Sequence, residues 1–263
     1  MRENTEKAHI FYACTVSPVE RCILCFYYLC GMNQTAEKNI YEEGQVVLIN
    51  KPLKWTSFDI VRKIRNTTKA KTGHAGTLDP LATGLLICCT GKMTKKINEY
   101  QAQEKEYTGT FTIGATTPTY DLESEPTDFK PLDGISEQLI YDTTKQFIGE
   151  LQQLPPIHSA IKQNGKPIYE LARKGVEVKV EPRTIVIKEF EITAIALPVI
   201  HFRVVCSTGT YIRSLANDFG AALGVGGYMS SLCRTRIGEF KLEDAWEIEK
   251  FVEELGGTFK AKS

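Results

Sequence analysis

Gly73-His74-Ala75-Gly76-Thr77-Leu78-Asp79-Pro80-Leu81-Ala82-Thr83-Gly84 sets a single carboxylate, Asp79, in a stretch where four of twelve residues are Gly or Pro. Asp-Pro beside Gly is a common turn former, so an ordinary turn is one reading. Gly also opens backbone angles closed to other residues, and Pro fixes φ just after the acid. A loop built this way holds one side chain in a set direction while a bulky substrate approaches its backbone. Composition leaves both readings open.

Outward from this stretch the chain alternates short apolar runs with polar ones. Val46-Val47-Leu48-Ile49 is β-branched and ends at Asn50, which reads as a strand. Thr56 and Asp59 have the spacing of a capping box. In the helix that follows, Phe58, Val61 and Ile64 are expected to face the core, and Arg62, Lys63 and Arg65 to face away. Leu85–Cys89 reads as a buried strand and Thr94–Gln103 as a helix. Tyr107, Phe111 and Ile113 alternate with Thr108, Thr110 and Thr112, the pattern of a half-buried strand.

Residues 116–134 are polar and acidic and read as a surface loop; Ile135–Ile148 reads as a helix. Leu154–Ser159 reads as extended and Pro167–Arg173 as a short helix. Three β-rich runs follow, Thr184–Lys188, Phe190–Ile195 and His201–Cys206. Ser207-Thr208-Gly209-Thr210 then turns into a helix over Ile212–Leu223. Ala245, Ile248, Val252 and Leu255 give the last helix an apolar stripe. Strands and helices mix without regular βαβ alternation, so the expected class is α+β, a mixed and largely antiparallel central sheet with flanking helices. No Gly-x-Gly-x-x-Gly or Walker loop is present, which argues against dinucleotide and nucleoside-triphosphate chemistry.

Formal net charge is zero, with 42% hydrophobic and 24% charged residues, as in ordinary soluble domains. The average hides a local imbalance. Residues 51–96 carry ten Lys or Arg against Asp59 and Asp79, a local charge of +8, which suits a polyanionic substrate. The same run also reads as a solvated basic face. From Glu239 onward the balance is acidic.

Cys14, Cys22, Cys25 and Cys30 are numerous enough for a zinc site but lack the paired spacing of one. The other four, including Cys88 and Cys89, read as buried thiols. Cys22–Gly31 is an apolar run of ten, too short to span a bilayer. Met32 opens a polar segment resembling a protein start. Residues 1–40 are therefore expected to be an N-terminal extension, with residues 1–31 upstream of the true start, and residues 41–263 the catalytic domain.

From about Glu43 to Phe240 six motifs occur in order: Asn50-Lys51-Pro52 with Thr56-Ser57; the Asp79 string; Lys105-Glu106-Tyr107; Pro155-Pro156 with Ser159-Ala160 and Lys162; Tyr169 with Ala172-Arg173 and Gly175; and Gly209-Thr210-Tyr211-Ile212-Arg213-Ser214-Leu215. Together they resemble the bacterial tRNA pseudouridine synthases of the TruB type. The resemblance implies the pseudouridine synthase fold and an isomerisation in which a uridine's N-glycosidic bond breaks, the base rotates, and C5 rejoins C1′. It implies a T-loop substrate, tRNA position 55, and no cofactor, metal or guide RNA. A cytoplasmic monomer away from membranes is expected.

The resemblance assigns Asp79 as the catalytic carboxylate, Arg213 as the cation that holds its pKa down, and Tyr107 as the ring that stacks on the flipped uracil. Tyr211 and Leu232 match positions lining the uracil pocket. His74 matches a residue that takes the place of the flipped base, and Lys51 and Pro52 match a support for the active-site loop. Lys54 stands where many relatives have Gly, and Ala75 where many have Thr.

Relatives often carry a small C-terminal RNA-binding domain, whereas this chain stops soon after an acidic helix. RNA is therefore expected to be held through the basic block and His74. Two other readings remain: a tRNA-binding protein that assists folding, and a carboxylate-nucleophile glycosidase. The latter generally uses two carboxylates flanking the bond, and only Asp79 stands near the motifs.

Overall fold

Leu85-Leu86-Ile87-Cys88-Cys89 is wholly inaccessible to solvent, because the strand that carries it is covered on both faces. Leu86 and Cys88 pack with Val47, Ile49, Ile60, Ile64 and Phe251; Leu85, Ile87 and Cys89 pack on the other side with Ala75 and Ile237. A continuous apolar run suits a strand covered on two faces, where a half-buried strand alternates. The computed structural model describes residues 39–156, 162–163, 166–167 and 180–257. The zinc candidates, the N-terminal extension through residue 38 and the Tyr169 motif lie outside the described residues. Asn39 onward forms one compact unit.

The elements in order are α1 (Ile40–Glu43), β1 (Val46–Lys51), α2 (Ser57–Thr68), β2 (Thr72–Ala75), β3 (Ala82–Thr90), α3 (Ile97–Ala102) and β4 (Lys105–Ile113). Then come α4 (Glu137–Thr144), β5 (Gly149–Gln153), β6 (Lys162–Gln163), β7 (Lys166–Pro167), β8 (Arg183–Ala196) and β9 (Val199–Cys206). The chain continues through α5 (Ile212–Ala222), β10 (Gly227–Ile237), β11 (Phe240–Lys241), β12 (Trp246–Glu247) and α6 (Ile248–Glu254). The main sheet runs β12-β1-β3-β10-β4-β9-β8-β5. All neighbours along it are antiparallel except β12 with β1 and β3 with β10. The expected α+β class with a mixed, largely antiparallel sheet is the one found.

One face of β4, β8, β9 and β10 packs against α4 and α5 around an aromatic group. Phe111 stacks on Phe202 with ring centroids 4.1 Å apart and lies 6.0 Å from Phe219 on α5. Tyr107, Phe111 and Ile113 point into this core, as the alternation requires. On α2 the capping box forms: Thr56 Oγ1 accepts from Asp59 N at 3.1 Å, and an Asp59 carboxylate oxygen accepts from Thr56 N at 3.0 Å.

Several expectations are corrected. Phe58 is 60% exposed, and Ile60, Val61 and Ile64 form the buried stripe of α2. Phe58 is the second residue of the helix, one position off the face that meets β1 and β3. Thr184–Lys188 and Phe190–Ile195 belong to one 14-residue strand, β8, whose two register shifts absorb the break in alternation. Leu255 is 39% exposed, and Phe251 joins Ile248 and Val252 in the core instead. Pro167 lies in β7, not at the start of a helix. Strand β10, at the centre of the sheet, has no counterpart in the sequence reading, since Ser230, Ser231, Arg234 and Arg236 disguise it.

Among the described residues no helix is long and apolar enough to cross a membrane. Truncating Phe111 to Ala removes the ring at the centre of the aromatic group and should cost about 3–5 kcal/mol of unfolding free energy. Phe58→Ala should stay within about 0.5 kcal/mol, as exposed substitutions generally do. Urea denaturation of both variants checks the assignment, and a large loss in Phe58→Ala would contradict it.

Candidate active site

The loop from β2 to β3 is pinned from three directions. Ser57 Oγ donates to Leu78 O at 3.1 Å and accepts from Leu78 N at 2.9 Å. Lys54 N donates to Pro80 O at 2.8 Å. Arg234, from β10, donates Nε to Leu85 O at 2.8 Å and Nη2 to Gly76 O at 3.1 Å. Gly76 has φ +86°, open to Gly at little cost. Gly84 has φ +103°, and a Cβ there would lie 2.4 Å from Arg234 O, so the approach of β3 to β10 requires glycine.

Lys51 serves this arrangement from below. It is fully buried, unlike the exposed cations of the basic block, and its Nζ donates to Pro52 O at 3.0 Å and Trp55 O at 2.6 Å. Pro52 thus takes part through its carbonyl, in the segment that leads to Ser57. Lys54 has φ +66°, a left-handed conformation that Gly adopts at less cost than a residue with a Cβ.

Asp79 presents its carboxylate into a cleft of about 470 Å³ lined also by Tyr107, Tyr211, Arg213, Leu232 and Arg234. The two strongest candidates meet there: Arg213 Nε lies 3.0 Å from Asp79 Oδ2. Arg213 sits in the first turn of α5. The start of that helix is held by Gln153 at the end of β5, whose side-chain amide accepts from Tyr211 N at 2.8 Å and donates to Tyr211 O at 3.0 Å. Ser214 Oγ donates to Leu154 O at 2.8 Å. Tyr107 and Leu232 come from β4 and β10, both nearly buried.

A second carboxylate reaches the same guanidinium. Asp121, 1% exposed, lies in the segment read as a surface loop, and its Oδ2 is 3.5 Å from Arg213 Nη1. Thr119 Oγ1 and Glu123 N donate to its other oxygen at 2.6 and 3.0 Å, and Arg213 Nη1 donates to Thr119 O at 3.3 Å. The expectation that Asp79 is the one acid at the site is therefore corrected. The two acids do not face each other across an open gap, because the guanidinium lies between them.

Burial acts more strongly on the Asp79 carboxyl than Arg213, which does pull it down as expected. Burial in the cleft pushes its carboxyl above the ordinary range. Arg213 pulls it down, Asp121 pushes it up and Lys51 pulls it down again, and the net direction is upward. Desolvation outweighs the ion pair because water is excluded from one side of the carboxylate. Burial likewise raises the phenol of Tyr107, opposed by Arg234. Cys88, Cys89 and Cys206 are free and buried, their thiols pushed up by burial, and no residue cluster suited to a metal ion occurs among the described residues.

His74 does not line the cleft. It lies on the edge strand β2 opposite Cys88, with Nδ1 buried and without a hydrogen-bond partner among the described residues. Burial, then the Arg234 charge, lowers its pKa, against a backbone hydrogen bond at Gly76 that raises it. Three residues escaped sequence reasoning: Asp121, Gln153 and Arg234. Arg234 had a faint signal, lying two positions after Leu232 in Arg234-Thr235-Arg236. Asp121 had none, being one acid among several in a polar stretch.

Residues 62–212 match the family model described as TruB family pseudouridylate synthase (N terminal domain), and residues 213–257 match that described as tRNA pseudouridylate synthase B C-terminal domain. The second segment holds all but the first residue of α5, together with β10, β11, β12 and α6, so it is woven into the same sheet. The chain is 57% identical over 223 residues to a Flavobacterium johnsoniae protein named tRNA pseudouridine synthase B, covering 82% of this chain and 97% of that one. A Chlorobaculum tepidum protein of the same name is 49% identical over 220 residues, covering 81% and 92%.

Among solved structures, a chain of a Cbf5–Nop10–Gar1 complex is similar with a TM-score of 0.63 and 30% identity over 81% of this chain. A second, an H/ACA RNP bound to a substrate RNA containing 2′-deoxyuridine, has a TM-score of 0.61 at 29% identity over 82% of this chain. In both cases the match spans 54% of the solved chain, about half its length.

A carboxyl whose folded pKa is raised binds its proton more tightly in the folded state. Its ionisation therefore costs stability as pH rises from the unfolded value through the folded one. Asp79→Asn should accordingly raise the melting temperature at pH 7, and the gain should vanish below the ordinary carboxylate range. Thermal melts of both proteins across pH 3–8, on the order of ten points, check the sign.

Proposed function

The chain belongs to the TruB family of pseudouridylate synthases, and we propose that it isomerises the uridine at position 55 in the T loop of tRNA to pseudouridine. One observation carries the reading: Asp79 and Arg213 meet at 3.0 Å in a cleft floored by Tyr107. The match over nearly the whole length of bacterial proteins named tRNA pseudouridine synthase B supports tRNA as the substrate.

The target uridine leaves its stack and enters the cleft, since its C1′ is out of reach inside a folded stem-loop. Tyr107 offers the uracil a ring face and Leu232 an apolar wall. Asp79 acts on the sugar at the glycosidic bond, either at C1′ or by taking a neighbouring proton. Arg213 holds the carboxylate oxygen in place, and Asp121 fixes the other side of the guanidinium so that it cannot swing away from Asp79. The raised Asp79 pKa makes this carboxylate a stronger base than one in water, while Arg213 and Lys51 keep its ionised form accessible. The uracil, freed from C1′ with the bonding pair on N1, turns within the cleft. Its C5 bonds to C1′ as Asp79 leaves C1′ or returns the proton it took. The C5 proton is then lost while N1 gains one, so the product is an isomer of the substrate.

His74 and the exposed cations Arg65, Lys69, Lys71, Lys92, Lys95 and Lys96 hold the RNA outside the cleft. A hairpin loop with splayed bases is the kind of RNA read by shape and phosphate contacts. The protein works as a cytoplasmic monomer, on its own RNA contacts without a guide strand, residues 41–263 forming the catalytic domain.

Unmodified tRNA labelled with tritium at uracil C5 should release tritium on incubation with the protein. Asp79→Asn should release none while still binding the tRNA. Release by Asp79→Asn at the wild-type rate, or none by the wild type, would defeat the reading. A variant that binds tRNA and speeds its folding, with a wild type that never releases tritium, would favour a folding role instead.

A further inference from the structure

The cleft holds more positive charge than the Asp79 pair accounts for. Lys105, Arg183, Arg213 and Arg234 all line it, and Asp79 is the acid among the lining residues. Arg213 is engaged by Asp79 and Asp121. Arg234 and Lys105 are in a different state. They are 1% and 4% exposed, and neither pairs with a carboxylate among the described residues.

Their hydrogen bonds go to neutral oxygens. Arg234 binds Leu85 O and Gly76 O, and Lys105 Nζ binds Gln103 O at 2.6 Å and also Gln101 O. Carbonyls satisfy N–H groups without offsetting the charge. Buried charges are ordinarily paired, because an isolated one is expensive to take out of water. On the opposite side of the sheet even part-exposed arginines meet acids: Arg203 on β9 pairs with Glu106 at 2.7 Å and Arg236 on β10 with Glu104 at 2.9 Å. The sheet thus supplies acids to its arginines on one side and withholds them inside the cleft.

Sheet register brings the two cations together. Arg234 lies directly opposite Tyr107 in the β10–β4 pair, and Lys105 is two residues from Tyr107 on its own strand, hence on the same face. They are close enough that Arg234, after burial itself, lowers the Lys105 ammonium, bringing its pKa down to about 8. A ligand anion would relieve both effects.

We propose that Lys105 and Arg234 form an anion subsite that takes a backbone phosphate flanking the target uridine. The inference rests on the reading of the cleft as the uridine site. A phosphodiester fits because it is permanently charged and accompanies every nucleotide that enters, and a charge-assisted bond to it is stronger than one to a carbonyl. Lys105 and Arg234 then set the depth to which the flipped nucleotide is drawn, with its base against Tyr107 and its sugar at Asp79.

The experiment uses tRNA labelled at uracil C5 that carries one neutral methylphosphonate, placed either 5′ or 3′ of the target uridine. For the wild type, one of the two placements should lower kcat/KM by about tenfold, mainly through KM. Lys105→Met should lower kcat/KM comparably on the all-phosphate RNA, and the methylphosphonate should then cost it less than about twofold more. Lys105→Arg, which keeps the charge, should retain the wild-type penalty.

The proposal is overturned if neither placement affects the wild type, or if the full penalty persists in both Lys105→Met and Arg234→Met. It is also overturned if Lys105→Met lowers kcat alone with no coupling to either linkage, which would assign the cations to charge developing on the uracil. If Lys105→Met does not fold, Lys105→Gln and Arg234→Met on the same two linkages decide: loss of the linkage penalty in either supports the proposal, and its full persistence in both overturns it. A wild type that releases no tritium from all-phosphate RNA would instead refute the functional reading.

Discussion

Arg213 holds one guanidinium between two carboxylates, and much of the site is arranged to keep it there. Its own side chain is 5% exposed, and Asp121 on one side is buried while Asp79 on the other is 35% exposed to the cleft. Remove the cation, and two acids face one another in a poorly hydrated place. Breaking a buried pair by deleting one partner costs about 3–5 kcal/mol, because the remaining charge is left uncompensated. The asymmetry in exposure gives the acids different work: Asp121 anchors, and Asp79 remains available to a substrate. Gln153 and Ser214 hold the helix start that carries Arg213, and Thr119 and Glu123 hold Asp121, so the geometry does not depend on the ion pair alone.

The frame beneath this contact is the close approach of β3 and β10. Gly84 allows it, and Arg234 uses it to reach across to Leu85 and Gly76, which ties the Asp79 loop to the middle of the sheet. Because β3 is buried on both faces, the loop leaves a strand with little freedom to shift. Ser57 adds a second tie from α2. A carboxylate on a Gly-framed loop would otherwise sample many orientations, and catalytic groups need a narrow range of them. The rigidity of the sheet thus supplies what the loop's composition lacks.

How much was legible in the sequence differs by element. β1, β3, β4, β9 and α5 were readable because each keeps one pattern from end to end. β8 was read as two runs because register shifts break its alternation while the strand continues. Phe58 was misplaced because three apolar residues at helical spacing do not say where the stripe begins. β10 was missed because its polar side chains are satisfied by neighbours far along the chain: Arg236 by Glu104, Arg234 by two carbonyls, Ser230 by Thr110.

What the sequence by itself determined was the family pattern and the chemical types at the site: a carboxylate on a Gly- and Pro-framed loop, an arginine at a helix start, a tyrosine on a strand. Local spacing suffices for those, since a turn, a helix start and a strand face are set by near neighbours. Only the tertiary structure decided which charges meet. It put Asp121 against Arg213 across 92 positions of chain, turned the Asp79 pKa upward where an ion pair alone would lower it, and left Lys105 and Arg234 buried without an acid. Desolvation and pairing depend on everything packed around a group, and in this fold those surroundings come from distant strands.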